Sequence, residues 1–261
     1  MSALAALARR DLLLTASYRT GFAFDLAWGT IDVLVYYFIS RVVGLAPGAG
    51  LQGAPSYFAF ALAGILMSLI VSSAGSEIAS GLRQEQLTGT LELLVAQPVR
   101  SASLAFGTAA FPFLYALARV ALYLAIAVAG LGLATGSTDW LGVAAMLVAA
   151  GLAFVGLGIA AAAAVVVFKR GAIVDAAIFA MTFVSGALFP LSVLPGWLQA
   201  IGKVMPTRPA FDGLRAALFG GSWGTDALVL LGVAALTIPV SLVLFELALA
   251  HAKRRGTLAQ Y

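Results

Sequence analysis

Side chains able to do bond chemistry are scarce in this sequence. Its 261 residues include one histidine and no cysteine, which removes disulfides and thiolate metal sites from consideration. Ser185 beside Gly186 offers a hydroxyl in a tight-turn context, but a serine nucleophile needs a base within hydrogen-bond reach. His251 falls in the C-terminal tail beside Lys253, and every lysine sits in a loop or tail. Neither a Ser-His nor a Ser-Lys pair can be assembled. The run Gly89-Thr90-Leu91-Glu92 carries a glycine but no lysine and follows no strand, so it is not a phosphate-binding loop. The chain is therefore read as a non-enzyme, with no metal or cofactor of its own.

The remaining reactive groups are charges inside apolar runs. Asp32 and Arg119 fall near mid-depth when the runs beginning at Phe22 and Ser103 are counted outward, and an ionisable group at that depth faces a partner or a cavity. Two readings stand: an Asp32–Arg119 pair that fixes packing, or an Asp32 that lines a pathway. Asp25, Glu77, Asp175 and Glu246 lie nearer the ends of their runs and read as interface residues. Tyr36, Tyr37 and Phe38, with Phe179 and Phe183, form either a pathway surface or a lipid-facing aromatic belt.

The elements that would position these groups follow from composition. With 62% hydrophobic and 10% charged residues, the chain has too little polar surface to cover a soluble globule. It reads as an all-α membrane protein with six spans at about 22–43, 57–79, 103–132, 140–168, 172–193 and 227–249, each long enough for a hydrocarbon core that requires ~20 residues of helix. The third and fourth exceed that length, so they must tilt, kink at Pro112, or emerge. Residues 1–21 mix Arg9, Arg10, Asp11 and Arg19 with leucines and read as an interfacial helix preceding a 22–261 six-helix transmembrane domain.

Basic residues set the orientation. Arg9, Arg10, Arg19, Arg83, Arg100, Lys169, Arg170, Lys253, Arg254 and Arg255 gather on one side, against Arg41, Lys203, Arg208 and Arg215 on the other. This bias puts both termini in the cytoplasm of a cell-membrane protein. The net charge of +4 is thus a topology signal, not a nucleic-acid footprint.

Two connections are not ordinary loops. Residues 83–100 read as an amphipathic helix over about 84–96, with Leu87, Leu91 and Leu94 on one side, Glu85, Gly89 and Glu92 on the other, and Pro98 limiting its extent. On the opposite side, residues 194–219 hold two short helical patterns, Trp197, Ile201 and Val204, then Phe211, Leu214 and Leu218, broken by Pro206 and Pro209. They form either a re-entrant pair of half-helices lined by protein or a hairpin lying flat on the outer leaflet.

Taken together, the Glu85, Gly89, Thr90, Leu91, Glu92 and Pro98 series after the second span, and the late Ser185-Gly186-Ala187-Leu188-Phe189-Pro190 followed by Leu194, Pro195, Trp197 and Pro206, resemble the permease subunits of type-2 ABC transporters. The resemblance covers almost the whole chain. It implies a coupling helix at 83–100 whose Glu85, Gly89, Thr90, Leu91 and Glu92 contact a separate ABC ATPase that carries the ATP and Mg. It also implies a homodimer, an outer gate at Gly186, Pro190, Pro195 and Pro206, and an exported cargo such as a lipid, a lipid-linked glycan or a hydrophobic drug. The competing class, a secondary transporter, calls for an internal repeat with paired broken helices at mid-depth, and only the late outer segment is broken.

Overall fold

In the computed structural model the described residues are 19–43, 50–89, 101–168 and 172–255. They form helices and turns, with no strand among them. The helices are α1 (Arg19–Val43), α2 (Tyr57–Gly75), α3 (Glu77–Leu87), α4 (Ser101–Leu131), α5 (Trp140–Phe168), α6 (Ala172–Val184), α7 (Gly196–Val204), α8 (Arg208–Phe219) and α9 (Gly224–Arg255), with a short 3-10 turn at Leu191–Val193. The expected interfacial helix at 1–21 lies outside the described residues except for its last three.

Among the described residues five helical stretches are long and apolar enough to cross a membrane: Ala23–Val43, Tyr57–Leu87, Phe106–Leu131, Trp140–Val166 and Gly224–Ala252. The expected run at 172–193 departs from this. Its helix α6 stops at Val184 after 13 residues, roughly 20 Å at 1.5 Å per residue, and Gly186 follows at φ 80°. A left-handed glycine there ends the helix in the way sequence glycines do, and the apolar residues beyond it belong to a turn rather than to a longer span.

Local sequence explains the other boundaries. Ser56 caps α2 by accepting the Ala59 N–H at 3.2 Å. Asp139 caps α5, its Oδ1 accepting the Gly142 N–H at 3.0 Å. Pro209 sits in the first turn of α8, where a missing N–H costs nothing, and Gly220 closes that helix at φ 80°.

Helix α2 is buried nearly all round, the signature of a central element. Glycine lets its neighbours approach. A Cβ on Gly64 would overlap the Ala187 carbonyl oxygen, and one on Gly158 of α5 would overlap the Ala74 carbonyl oxygen. Helices α5 and α9 run parallel in constant register, Gly142 lying against Trp223 and Gly156 against Thr237 and Ile238. Helix α1 packs less extensively, leaving Phe24, Trp28, Ile31, Phe38 and Val42 exposed.

Candidate functional site

At one end of the bundle α2 passes into α3 with only Ser76 between them, its N–H still bonded to the Ser72 carbonyl at 2.8 Å. Helix α3 buries Ile78, Ala79, Leu82 and Gln86 and packs on α5 and α4, while Gln84 and Leu87 are exposed. It ends at Leu87, with the Thr88 N–H bonded to the Gln84 carbonyl and Gly89 at φ 73°. A helix running unbroken over 84–96 is therefore not what forms. The Thr88-Gly89 pair is a helix stop, because a left-handed C-terminal residue is strongly favoured as glycine. Of the expected contact residues, Glu85 and Gly89 flank this turn; Thr90, Leu91, Glu92 and Pro98 lie outside the described residues.

The same region corrects the intramembrane pair. Arg119 meets Asp25, not Asp32: its Nη1 stands 3.2 Å from Asp25 Oδ2, and Tyr115 donates its hydroxyl to that oxygen at 2.6 Å. The Arg119 guanidinium lies 5.6 Å and 5.8 Å from the Tyr115 and Tyr123 ring centres, and its Nε donates to the Tyr123 hydroxyl at 3.4 Å. A Cβ on Gly29 would overlap that same hydroxyl. Asp25 meets Arg119 and Gly29 meets Tyr123, so α1 and α4 are parallel, and Arg119 is level with the 25–29 turn. Counting both runs from a common starting depth missed this, because α4 starts well below α1. Asp32 is exposed.

A second polar cluster occupies the opposite end. Arg215 of α8 is 1% exposed although it was expected in an outer connection. One terminal nitrogen donates to the Gly186 and Ala187 carbonyls at 2.9 Å and 2.6 Å, and the other to Gln52 Oε1 at 2.9 Å. The guanidinium carbon lies 3.6 Å from the Phe60 ring centre, within cation–π range. Gln52 in turn donates to Asp212 Oδ1 at 2.7 Å, and Asp212 holds Arg208 at 2.7 Å. Thr207 and Ser185 share a short hydroxyl–hydroxyl bond beside the Met181 carbonyl, so that one hydroxyl donates to that carbonyl and the other to its neighbour's oxygen. A guanidinium does not lose its proton in proteins, so a fixed cation holds the turn that follows α6 and ties it to α2, α8 and the segment before α2. The sequence did carry the signal: Phe211, Leu214, Arg215 and Leu218 stand at i, i+3, i+4 and i+7, placing Arg215 on the buried face.

The remaining expected outer residues divide. Gly186 and Pro190 are buried, Pro206 is half-buried and Pro195 is exposed. Beside them, Asp139 also accepts the Trp223 indole N–H at 2.8 Å, and its own N–H donates to the Ala217 carbonyl. The Gly142 N–H and the Trp223 indole hold the Asp139 carboxyl below the usual aspartate range. The aromatic residues do not converge on one surface. Tyr36 pairs with Tyr57, and Tyr37 with Phe38 and Phe58, whereas Phe179 stacks on Phe183, which meets Phe189 edge-on. Among the described residues no ring contact joins the two sets, and no group of histidine, aspartate or glutamate is arranged to hold a metal ion.

No curated protein matches the chain in sequence. The sequence model of one family, the ABC-2 type transporter, matches residues 79–219, more than half of the chain. That stretch runs from α3 through α8 and so takes in the Gly89 turn, Arg119 and Arg215 with the 186–187 turn it holds. With helices long and apolar enough to cross a membrane several times, the chain belongs to the ABC-2 type transporter family, as a multi-pass permease subunit of an ABC transporter.

Proposed function

We propose that this permease forms the substrate pathway of an ATP-driven exporter, working as a homodimer with two copies of a separate ABC ATPase. Membership of the family implies such an ATPase in general. The observation that supports the motor-facing assignment is the direct passage of α2 into α3. A force applied at the Thr88-Gly89 turn travels through a helix whose other face is buried on α4 and α5, and from there into the most buried helix of the bundle. Helices of the bundle transmit such a push because packed interiors are stiff. The ATPase groove would receive the 83–100 segment, with Glu85, Gly89, Thr90, Leu91 and Glu92 at the contact.

In this reading six crossings result, α6 being the short one, with both termini in the cytoplasm of a cell membrane. Helix α8 is the re-entrant element, since Phe211, Leu214, Arg215 and Leu218 are buried among α2, α5 and α9, and broken backbone at membrane depth requires such a protein lining. Gly186, Pro190, Pro195 and Pro206 shape an outer gate. Half-buried Tyr36 and Tyr37 of α1 and exposed Phe179 and Phe183 of α6 offer aromatic surface that suits a lipid, a lipid-linked glycan or a hydrophobic drug as cargo. Affinity purification of the chain from native membranes, with the eluate searched for an ABC ATPase, tests the assignment. The expected result is a stoichiometric complex in the wild type and its loss in Glu85→Lys/Glu92→Lys. A chain that purifies free of any ATPase contradicts it.

A further inference from the structure

Between α5 and α9 the bundle leaves a furrow that none of the roles above uses. The two helices touch closely where Gly142 meets Trp223, and again 14 residues further along each, where Gly156 meets Thr237 and Ile238. In the interval the facing residues are small, so the space between the helices stays unfilled. Ala149 and Ala227 lie buried at the base of the furrow, and Val148, Leu228 and Leu231 stand 49%, 71% and 43% exposed along its rim. Its volume is about 510 Å³, within the range of roughly 300–1,000 Å³ that small-molecule sites occupy.

Its depth matches one leaflet. Trp223 closes the upper end of the furrow and directly precedes the apolar stretch Gly224–Ala252, as Asp139 directly precedes Trp140–Val166, so both lie where headgroups begin. From Trp223 to Leu231 the furrow descends about 12 Å at 1.5 Å per residue, against about 15 Å for half of a hydrocarbon core. A fixed anion stands at its mouth. Trp223 donates its indole N–H to Asp139 Oδ2 at 2.8 Å and Gly142 holds Oδ1 at 3.0 Å, while Asp139 stays exposed. Residues 132–168 and 216–245 contain no lysine, arginine or histidine, and on α8 Arg208 is engaged by Asp212 and Arg215 by the 186–187 turn. The unanswered charge selects an occupant with an apolar tail and a cationic head. A primary ammonium brings three N–H donors that a carboxylate accepts, whereas a quaternary amine brings none and an anionic head is repelled.

We propose that the α5–α9 furrow is a binding site for an ethanolamine phospholipid of the surrounding leaflet, with one acyl chain along Ala149, Ala227 and Leu231 and the ammonium on Asp139. This lipid is a component of the bilayer and not the exported cargo, so the site is independent of the cargo and of the ATPase.

Native mass spectrometry of the purified full-length protein, offered equal amounts of phosphatidylethanolamine, phosphatidylcholine and phosphatidylglycerol with identical dioleoyl chains, reads the first lipid retained. The expected result for the wild type is phosphatidylethanolamine retained several-fold over either competitor. Asp139→Asn should still retain a lipid but lose that preference. Gly224→Leu, which extends a side chain into the furrow from a position with open space around it, should lower retention of all three lipids several-fold. Equal retention of the three by the wild type would mean annular lipid only, and a preference that survives Asp139→Asn, or a retention that survives Gly224→Leu, would put the lipid elsewhere. Each of these results overturns the proposal. The two substitutions act on the headgroup and on the chain separately, so loss of one variant to misfolding leaves the other to decide.

Discussion

Replacing Arg215 by methionine removes the cation and leaves its acceptors in place. The Gly186 and Ala187 carbonyls then lose donors at 2.9 and 2.6 Å beside a side chain that is 1% exposed, while Gln52, which is exposed, can turn its Oε1 to water. An unsatisfied buried acceptor costs roughly 1–3 kcal/mol, and losses within one cluster are not additive, so about 3–5 kcal/mol is expected, in line with breaking a buried charged network. The methionine stem recovers only part of the packing on Phe60. Arg215→Lys keeps the charge but cannot span two carbonyls and Gln52 with one ammonium while stacking on the ring, so its loss should be about half as large. Thermal unfolding of the purified protein in detergent, followed by tryptophan emission, reads these differences. The expected order is wild type, then Arg215→Lys, then Arg215→Met, with the last lower by about 10 °C or more. The double change Phe60→Leu/Arg215→Met should be less than the sum of the single changes, because the two side chains touch. A methionine variant as stable as wild type would refute the reasoning, since it would mean that the carbonyls find other donors.

Three further outcomes are expected. Gly64→Ala and Gly158→Ala place a methyl group on backbone carbonyls of Ala187 and Ala74, which cannot swing aside as a side chain can; each should cost about 1–3 kcal/mol, visible as reduced yield of folded protein in size-exclusion profiles, whereas Gly130→Ala, with open space around it, should be neutral or better. Asp25→Asn should lower stability by about 1 kcal/mol, discounted because the aspartate is half open to solvent, and should couple to Arg119→Gln in a double-mutant cycle, while Asp32→Asn should show no coupling to Arg119. The Asp139 carboxylate has its pKa lowered in the folded state by the Gly142 N–H and the Trp223 indole, so its contribution is present above the ordinary aspartate range and disappears as pH falls through the lower folded value; Asp139→Asn should flatten that acid-side loss in a melting-temperature series.

The sequence carries much of this fold because apolar periodicity and length decide what crosses a bilayer. Trp140–Phe168 matches its expected limits, α1 shares its expected end at Val43, and α4 and α9 cover their expected runs to within six residues at either end. Both helix stops that departed from expectation are written as glycines. At Gly89 and Gly186 the left-handed backbone wins over a continuing apolar pattern, and a periodicity count gives such a residue too little weight. The Asp25–Arg119 pairing was not legible, because depth counted from the ends of two runs ignores the axial offset between helices, which is set by packing such as Tyr123 lying over Gly29. Arg215 was legible in part. Its position on the Phe211, Leu214 and Leu218 face marks it as inward, but its partners come from Gln52 and from the 186–187 turn, 163 and 28–29 residues earlier in the chain, and no local pattern names them.

The most direct test of the central claim, that an external ATPase drives this permease through the end of α3, is cross-linking from that turn. A single cysteine at Thr88, carrying a short bifunctional reagent in native membranes, is expected to capture an ATP-binding subunit from the cytoplasmic side, with the yield changing when non-hydrolysable ATP is added. Labelling of the same cysteine by a membrane-impermeant reagent from outside intact cells, with no ATP-binding protein captured, would contradict both the orientation and the coupling.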